Sequence, residues 1–194
     1  MRRILQFLTF SLAALFALGA AQAAQAQDTP KVDLFGGYTY MHGNVIITGQ
    51  GISLNGGSGS VAYNYNRWAG LVFDLGAYHQ GNVAGNGQTL TVMTYLFGPR
   101  ITWRKNEKFT PFGQLLLGGG HAGGTLYTGG TSPLGTQNCF AMTLGGGVDW
   151  KVHSSISVRL FQAEYLRAQF ANGSNNQQNN FRLSAGVVFH FGKR

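Results

Sequence analysis

Eight charged side chains fall inside stretches that otherwise alternate apolar with small residues: Asp33, Asp74, Asp149 and Glu164 against Arg100, Arg159, Arg167 and Arg182. A carboxylate or guanidinium withdrawn from water is tolerated only when it is paired. The one-to-one count therefore points to a mutually compensating ionic network. Asp33, Asp74, Arg100, Asp149, Arg159, Glu164 and Arg182 are the residues expected to form it. Asp74 and Arg100, on consecutive alternating stretches, are the pair expected first. Arg159 and Glu164 differ in parity, so at least one lies at a rim or their strand carries a bulge.

Other chemistry is thinner. The five histidines, His42, His79, His121, His153 and His190, show no HxH or HExxH spacing. His42, His79 and His121 could approach one rim, but exposed polar histidines are the ordinary case, and no metal site is assigned. A Ser-His-Asp centre needs mutual hydrogen-bond reach, and His79 has no obvious partner set. No catalytic residue and no cofactor is expected, so the chain is not read as an enzyme. "GGSGSVAY" (56–63) lacks the lysine and following helix of a phosphate loop. "NGSNNQQNN" (172–180) is a polar low-complexity loop, and its NGS sequon carries little weight. Cys139, the single cysteine, cannot form an intramolecular disulfide and is given no role.

The elements that must position these charges begin after a leader. Arg2 and Arg3 precede an apolar core from Ile4 to Leu18, and Ala21-Gln22-Ala23 and Ala24-Gln25-Ala26 both fit a cleavage site. Residues 1–26 are expected to be a cleaved export signal and 27–194 one domain. Beyond the leader no stretch approaches the roughly 18 consecutive apolar residues of a spanning helix. Charged residues make up 10% of the chain, against about 25% in ordinary soluble domains.

Period-2 patterning predicts eight strands: Lys31–His42, Ser58–Asn66, Ala69–Gln80, Gln88–Trp103, Thr110–Gly120, Asn138–Val152, Ser155–Arg167 and Phe181–Gly192. Connections alternate in length. Gly43–Gly57, Gly81–Gly87, His121–Gln137 and Ala168–Asn180 are long and contain no Lys, Arg, Asp or Glu. Those around Asn66–Trp68, Arg104–Phe109 and His153–Ser154 are short. This is the rhythm of an all-β, closed, eight-stranded antiparallel up-and-down barrel with tight turns at one rim. Trp68, Trp103 and Trp150 each sit beside a short turn, as an interfacial aromatic girdle would require, and Phe189 and Phe191 approach the same level. Lys31, Arg67, Arg104, Lys105, Lys108, Lys151, Lys193 and Arg194 gather at the termini and short turns. The net charge of +8 therefore decorates a rim and is no nucleic-acid footprint.

Face assignment decides the solvent. In the fourth strand Met93, Tyr95, Phe97, Pro99 and Ile101 share one face, with Thr94, Gly98 and Arg100 on the other. In the sixth, Phe140, Met142, Leu144, Val148 and Trp150 oppose Ala141, Thr143, Gly145, Gly147 and Asp149. The third sets Leu71, Phe73, Leu75 and Ala77 against Asp74, Gly76 and Tyr78. The last sets Leu183, Ala185, Val187, Phe189 and Phe191 against Arg182, Ser184, Gly186, Val188 and His190. Glycine, threonine and isolated charges suit a narrow polar lumen, and the continuous apolar face suits lipid. Eight strands leave an interior about filled by its side chains.

"VDLFGGYTY" (32–40), "YLFGPRI" (95–101), "FTPFGQLLLGGGH" (109–121), "GGGVDWKV" (145–152) and "LSAGVVFHFG" (183–192) together resemble the outer-membrane β-barrel domain family, the small opacity- and OmpA-like barrels of Gram-negative bacteria. The resemblance spans nearly all of the chain beyond the leader. It implies an eight-stranded barrel in the cell outer membrane; a monomer with periplasmic termini, extracellular long loops and no appended periplasmic domain is expected. Insertion would use the barrel-assembly machinery through the C-terminal strand. Its partners would be outer-membrane lipid, lipopolysaccharide and a possible external ligand of the long loops. The expected task is structural or adhesin-like surface interaction. The rivals are a small-solute porin, an outer-membrane enzyme with a rim cluster, and a soluble lipocalin-like periplasmic carrier.

Overall fold

A computed structural model describes residues 29–44, 51–83, 85, 87–124, 137–170 and 177–193. The leader, Arg194 and most of the polar 172–180 loop lie outside the described residues. Eight strands follow one another: β1 Pro30–Asn44, β2 Gly51–Asn64, β3 Ala69–Val83, β4 Gln88–Thr102, β5 Phe109–Gly123, β6 Gln137–His153, β7 Ile156–Ala168 and β8 Gln178–Lys193. Each pairs antiparallel with its sequence neighbours, and β1 pairs with β8 to close the barrel. With no edge strand, every ladder can satisfy its backbone groups internally, as hydrocarbon surroundings demand.

Alternation drives this arrangement. Along β3 and β4 successive side chains switch between exposed and buried almost without interruption. The exposed set is the apolar one: Leu71, Phe73, Leu75, Met93, Tyr95, Phe97 and Ile101 all face outward. The buried set contains Asp74, Thr94 and Arg100. A soluble barrel would invert this order, so a lipocalin-like carrier is excluded by the polarity of its own walls. Chain-wide, Leu34, Leu115, Leu144, Phe161, Phe181 and Phe189 extend the outward apolar band across the remaining strands.

Two expectations need correction. The second strand starts at Gly51, well before Ser58. "GISLNGG" has turn composition, yet Ile52 and Leu54 are buried on the inner face and the segment is held by a ladder to β1 from Met41↔Leu54 to Asn44↔Gly51. Tertiary pairing outweighs local glycine content there. The connections, too, do not alternate cleanly. β3 and β4 are joined through residues 84–87, whereas the supposedly tight connection between β4 and β5 spans 103–108.

The parity break in β7 is a bulge. Asp149 pairs with Arg159 while the preceding Val148 pairs with Phe161, and the β7–β8 register shifts between Arg159 and Gln162. Leu160 and Phe161 both face outward. The inserted residue lets Arg159 and Glu164 both point inward.

Candidate functional site: the ionic interior and its turn-side mouth

The barrel interior is layered along its axis. Near the short connections, Arg159 donates from Nε to Asp149 Oδ1 at 2.7 Å and from Nη2 to Asp149 Oδ2 at 3.0 Å. This two-bond fork is the strong form of an Arg–carboxylate pair. The Arg159 guanidinium also lies 4.2 Å from the Phe35 ring centroid and 4.4 Å from that of Phe112. Arg100 packs on Phe112 as well, at 4.4 Å. Cation–π contact thus replaces some of the water these guanidinium faces lose.

Two glutamines carry the network inward. Gln162 accepts from Arg159 Nη1 at 2.6 Å and donates to Glu164 Oε2 at 2.7 Å. Gln114 accepts from Arg100 Nε at 2.9 Å and donates to Glu164 Oε1 at 2.7 Å. Glu164 also accepts from Arg182 Nε at 2.7 Å, and Arg182 Nη2 makes an ion-pair contact with the same carboxylate. Across the barrel, Arg182 Nη1 donates to Asp74 Oδ1 at 2.8 Å and to the Tyr78 hydroxyl at 2.9 Å. Asp74, Arg159, Glu164 and Arg182 are each 0–1% exposed. Three carboxylates and three guanidinium groups, Asp74, Asp149 and Glu164 with Arg100, Arg159 and Arg182, therefore sit in one hydrogen-bonded unit.

Small residues make the space. A Cβ on Gly76 would stand 2.0 Å from the Tyr78 hydroxyl, and one on Gly145 would stand 2.6 Å from Glu164 Cγ. These inward glycines leave the volume their large neighbours occupy.

The pair expected between Asp74 and Arg100 is not formed. The β3–β4 register sets Arg100 opposite Gly70 and Asp74 opposite Leu96. Four residues of offset at about 3.4 Å each separate the two charges. Asp74 instead meets Arg182 across the barrel. Arg167 falls on the outward parity of β7, and its Nε is buried without a hydrogen-bond partner.

Asp33 stands apart from this unit, at the mouth. Asp33 Oδ1 accepts from His190 Nδ1 at 2.7 Å, and Oδ2 accepts from Asn64 Nδ2 at 2.8 Å and Arg104 Nη2 at 3.3 Å. Burial holds the pKa of the Arg104 guanidinium below its ordinary value, and nearby Asp33 offsets only part of that. His190 Nε2 lies 2.7 Å from Ser157 Oγ. Asp33, Arg104, Ser157 and His190 line a cavity of about 90 Å3 with Arg100, Thr102, Phe112 and Lys151.

This Ser157–His190–Asp33 line was missed in the sequence. Its members lie far apart in the chain, and only barrel closure sets Asp33 opposite His190. Two signals could have found it: inward parity for all three, and the seam pairing that a closed barrel imposes on its first and last strands.

The aromatic residues expected at the interface gather at this same end. Thr102 donates its backbone N–H to the Trp68 carbonyl and Trp103 donates to Pro111. Trp150 pairs with Phe109 beside the β4–β5 connection, and Phe189 and Phe191 pair with Ile156 and Val32. At the opposite end His42, His79 and His121 each bond a residue of their own strand pair, Ser53, Thr91 and Asn138 respectively.

Residues 10–191 match the outer membrane protein beta-barrel domain family. No curated protein sequence matches the chain. Among solved structures, Neisserial surface protein A is similar at a TM-score of 0.67 and 12% identity, covering 85% of this chain and 99% of that one. Ail, the attachment invasion locus protein of Yersinia pestis, in complex with the heparin analogue sucrose octasulfate, gives 0.53 and 18%, covering 81% and 97%. OprG from Pseudomonas aeruginosa gives 0.51 and 11%, covering 86% and 98%.

Proposed function

The chain belongs to the outer membrane protein beta-barrel domain family, and on that premise we propose that it is a plugged surface barrel with a structural or adhesin-like role. Location in the outer membrane follows from the family, and the outward apolar band meets lipid. The observation that carries the plugged reading is the Asp74–Arg182–Glu164 junction. It joins β3, β7 and β8 across the middle of the interior, with all three groups buried. A solute path would have to break it.

The finer parts of the reading rest on sequence and placement. Residues 1–26 would be the cleaved export signal, and 27–194 the inserted barrel. The termini and basic short turns would face the periplasm, and the uncharged connections the exterior. Trp68, Trp103, Trp150, Phe189 and Phe191 would anchor the periplasmic interface, and the C-terminal strand would engage the assembly machinery. The barrel would act as a monomer. Neutral Gly/Asn/Ser/Thr loops favour hydrogen bonding to surface glycans, and the Ail complex with a sulfated sugar is a precedent for ligand contact on a barrel of this kind. None of this surface role requires catalysis.

The purified full chain in planar bilayers tests the plug. We expect no steps of conductance from the wild type and discrete openings from Arg182→Ala. Sustained wild-type conductance would favour the small-solute channel reading instead.

A further inference from the structure

We propose that Ser157, His190 and Asp33 form a nucleophile–base–orienting triad that hydrolyses short-chain carboxylic esters in the turn-side vestibule. This activity is additional to the surface role and does not depend on it.

The register builds the line. Ser157 is on the inner face of β7, just after the tight connection at 154–155, and His190 is on the inner face of β8. The β1–β8 seam places Asp33 directly opposite His190. The two contacts, Ser157 Oγ to His190 Nε2 and His190 Nδ1 to Asp33 Oδ1, are each 2.7 Å. An ionised carboxylate can only accept, so with a neutral imidazole the proton must sit on Nδ1. Nε2 then presents its lone pair to the Ser157 hydroxyl, which is the tautomer a general base requires. Asn64 and Arg104 hold the second Asp33 oxygen, so the carboxylate is fixed in orientation and its charge is supported.

A second observation points to a ligand. Arg100 is 4% exposed, and its Nη2 has no hydrogen-bond partner, while its Nε donates to Gln114 and its guanidinium face packs on Phe112. Arg100 lines the same 90 Å3 vestibule as Ser157 and His190. A guanidinium in the wall of a partly desolvated cavity stabilises a carbonyl oxygen on which negative charge develops, and the unpartnered N–H is the donor that a small shift of the side chain would bring to it. The cavity admits a short acyl group, while the alcohol portion of the ester would remain towards the mouth.

The chemistry balances with water as the second substrate. Ser157 Oγ forms a bond to the ester carbonyl carbon as His190 Nε2 takes the hydroxyl proton. The tetrahedral oxyanion collapses, the bond from carbon to the alcohol oxygen breaks, and the departing oxygen takes the proton from Nε2. Water then attacks the acyl-serine, giving one proton to Nε2. Collapse releases the carboxylic acid, and Nε2 returns the proton to Ser157 Oγ. Asp33 stabilises the imidazolium formed in each half.

The test uses the full chain folded in detergent, treated with a fluorophosphonate probe and assayed with 4-nitrophenyl acetate. Mass spectrometry of the wild type should place the probe on Ser157. Ser157→Ala should abolish both labelling and turnover, and His190→Gln or Asp33→Asn should lower turnover by about 100-fold or more. 4-Nitrophenyl octanoate should be turned over at least about tenfold more slowly than the acetate, since a long acyl chain outgrows the cavity. A wild type that stays unlabelled, carries its adduct on another residue or hydrolyses no faster than Ser157→Ala would reduce the triad to a hydrogen-bonded rim cluster and overturn the proposal. The adduct site is read on the wild type, so a variant that fails to fold does not remove the decision.

Discussion

Arg159 lies between the rings of Phe35 and Phe112 in the turn-side half of the interior, within a web of charges and amides. In the loop-side half, Met41, Leu54, Leu90, Val92 and Leu166 meet Phe170, whose backbone N–H and carbonyl are both bonded by Gln178. Both halves fill the same narrow tube. The ionic half is directional: each group is tolerable because named partners face it at hydrogen-bond distance. The apolar half is non-directional and depends on filled volume. One sequence pattern, an inward side chain every second residue, thus supports two kinds of core with different modes of failure.

The largest effect should come from breaking the ionic half at its junction. Arg182→Ala leaves Glu164 and Asp74 buried without their cation, and should cost about 3–5 kcal/mol in urea unfolding from lipid vesicles. In the apolar half, Leu166→Ala removes a side chain 1% exposed and should cost about 2–4 kcal/mol through the cavity it leaves. Its conductance should stay at the wild-type level, because the ionic junction is untouched. Between the two halves, Thr39 bonds Ser58 at 2.7 Å and Ser184 at 2.9 Å. Thr39→Val keeps the shape and strips two hydrogen bonds, for about 1–2 kcal/mol. Equal losses from Arg182→Ala and Thr39→Val would remove the distinction between a charge left alone and a hydroxyl left alone.

The outer wall was the most legible part of the fold. Faces such as Met93–Tyr95–Phe97 against Thr94–Gly98–Arg100 follow from period-2 alternation alone, because a strand cannot turn a side chain to the other face without a slip. The parity of Arg159 and Glu164 leaves two choices, a rim position or a bulge, and the register takes the bulge, at Leu160. The start of β2 was hidden because glycine-rich "LNGGSGS" carries no local strand preference and is held by its partners. The choice of ion pairs was hidden for a deeper reason. Parity says which residues point inward, but the stagger between strands decides which of them meet, and register sent Asp74 to Arg182 and not to Arg100. The triad at the mouth escaped for the same cause, since it exists only across the closing seam.

The central claim is that Asp74, Glu164 and Arg182 hold the middle of the interior as one mutually compensated junction. It is tested most directly by comparing Arg182→Ala with the charge-free triple variant Asp74→Asn, Glu164→Gln, Arg182→Met in equilibrium urea unfolding. If the charges compensate one another, removing all three should recover most of the about 3–5 kcal/mol lost by removing the arginine alone. A triple variant no more stable than Arg182→Ala would contradict the account.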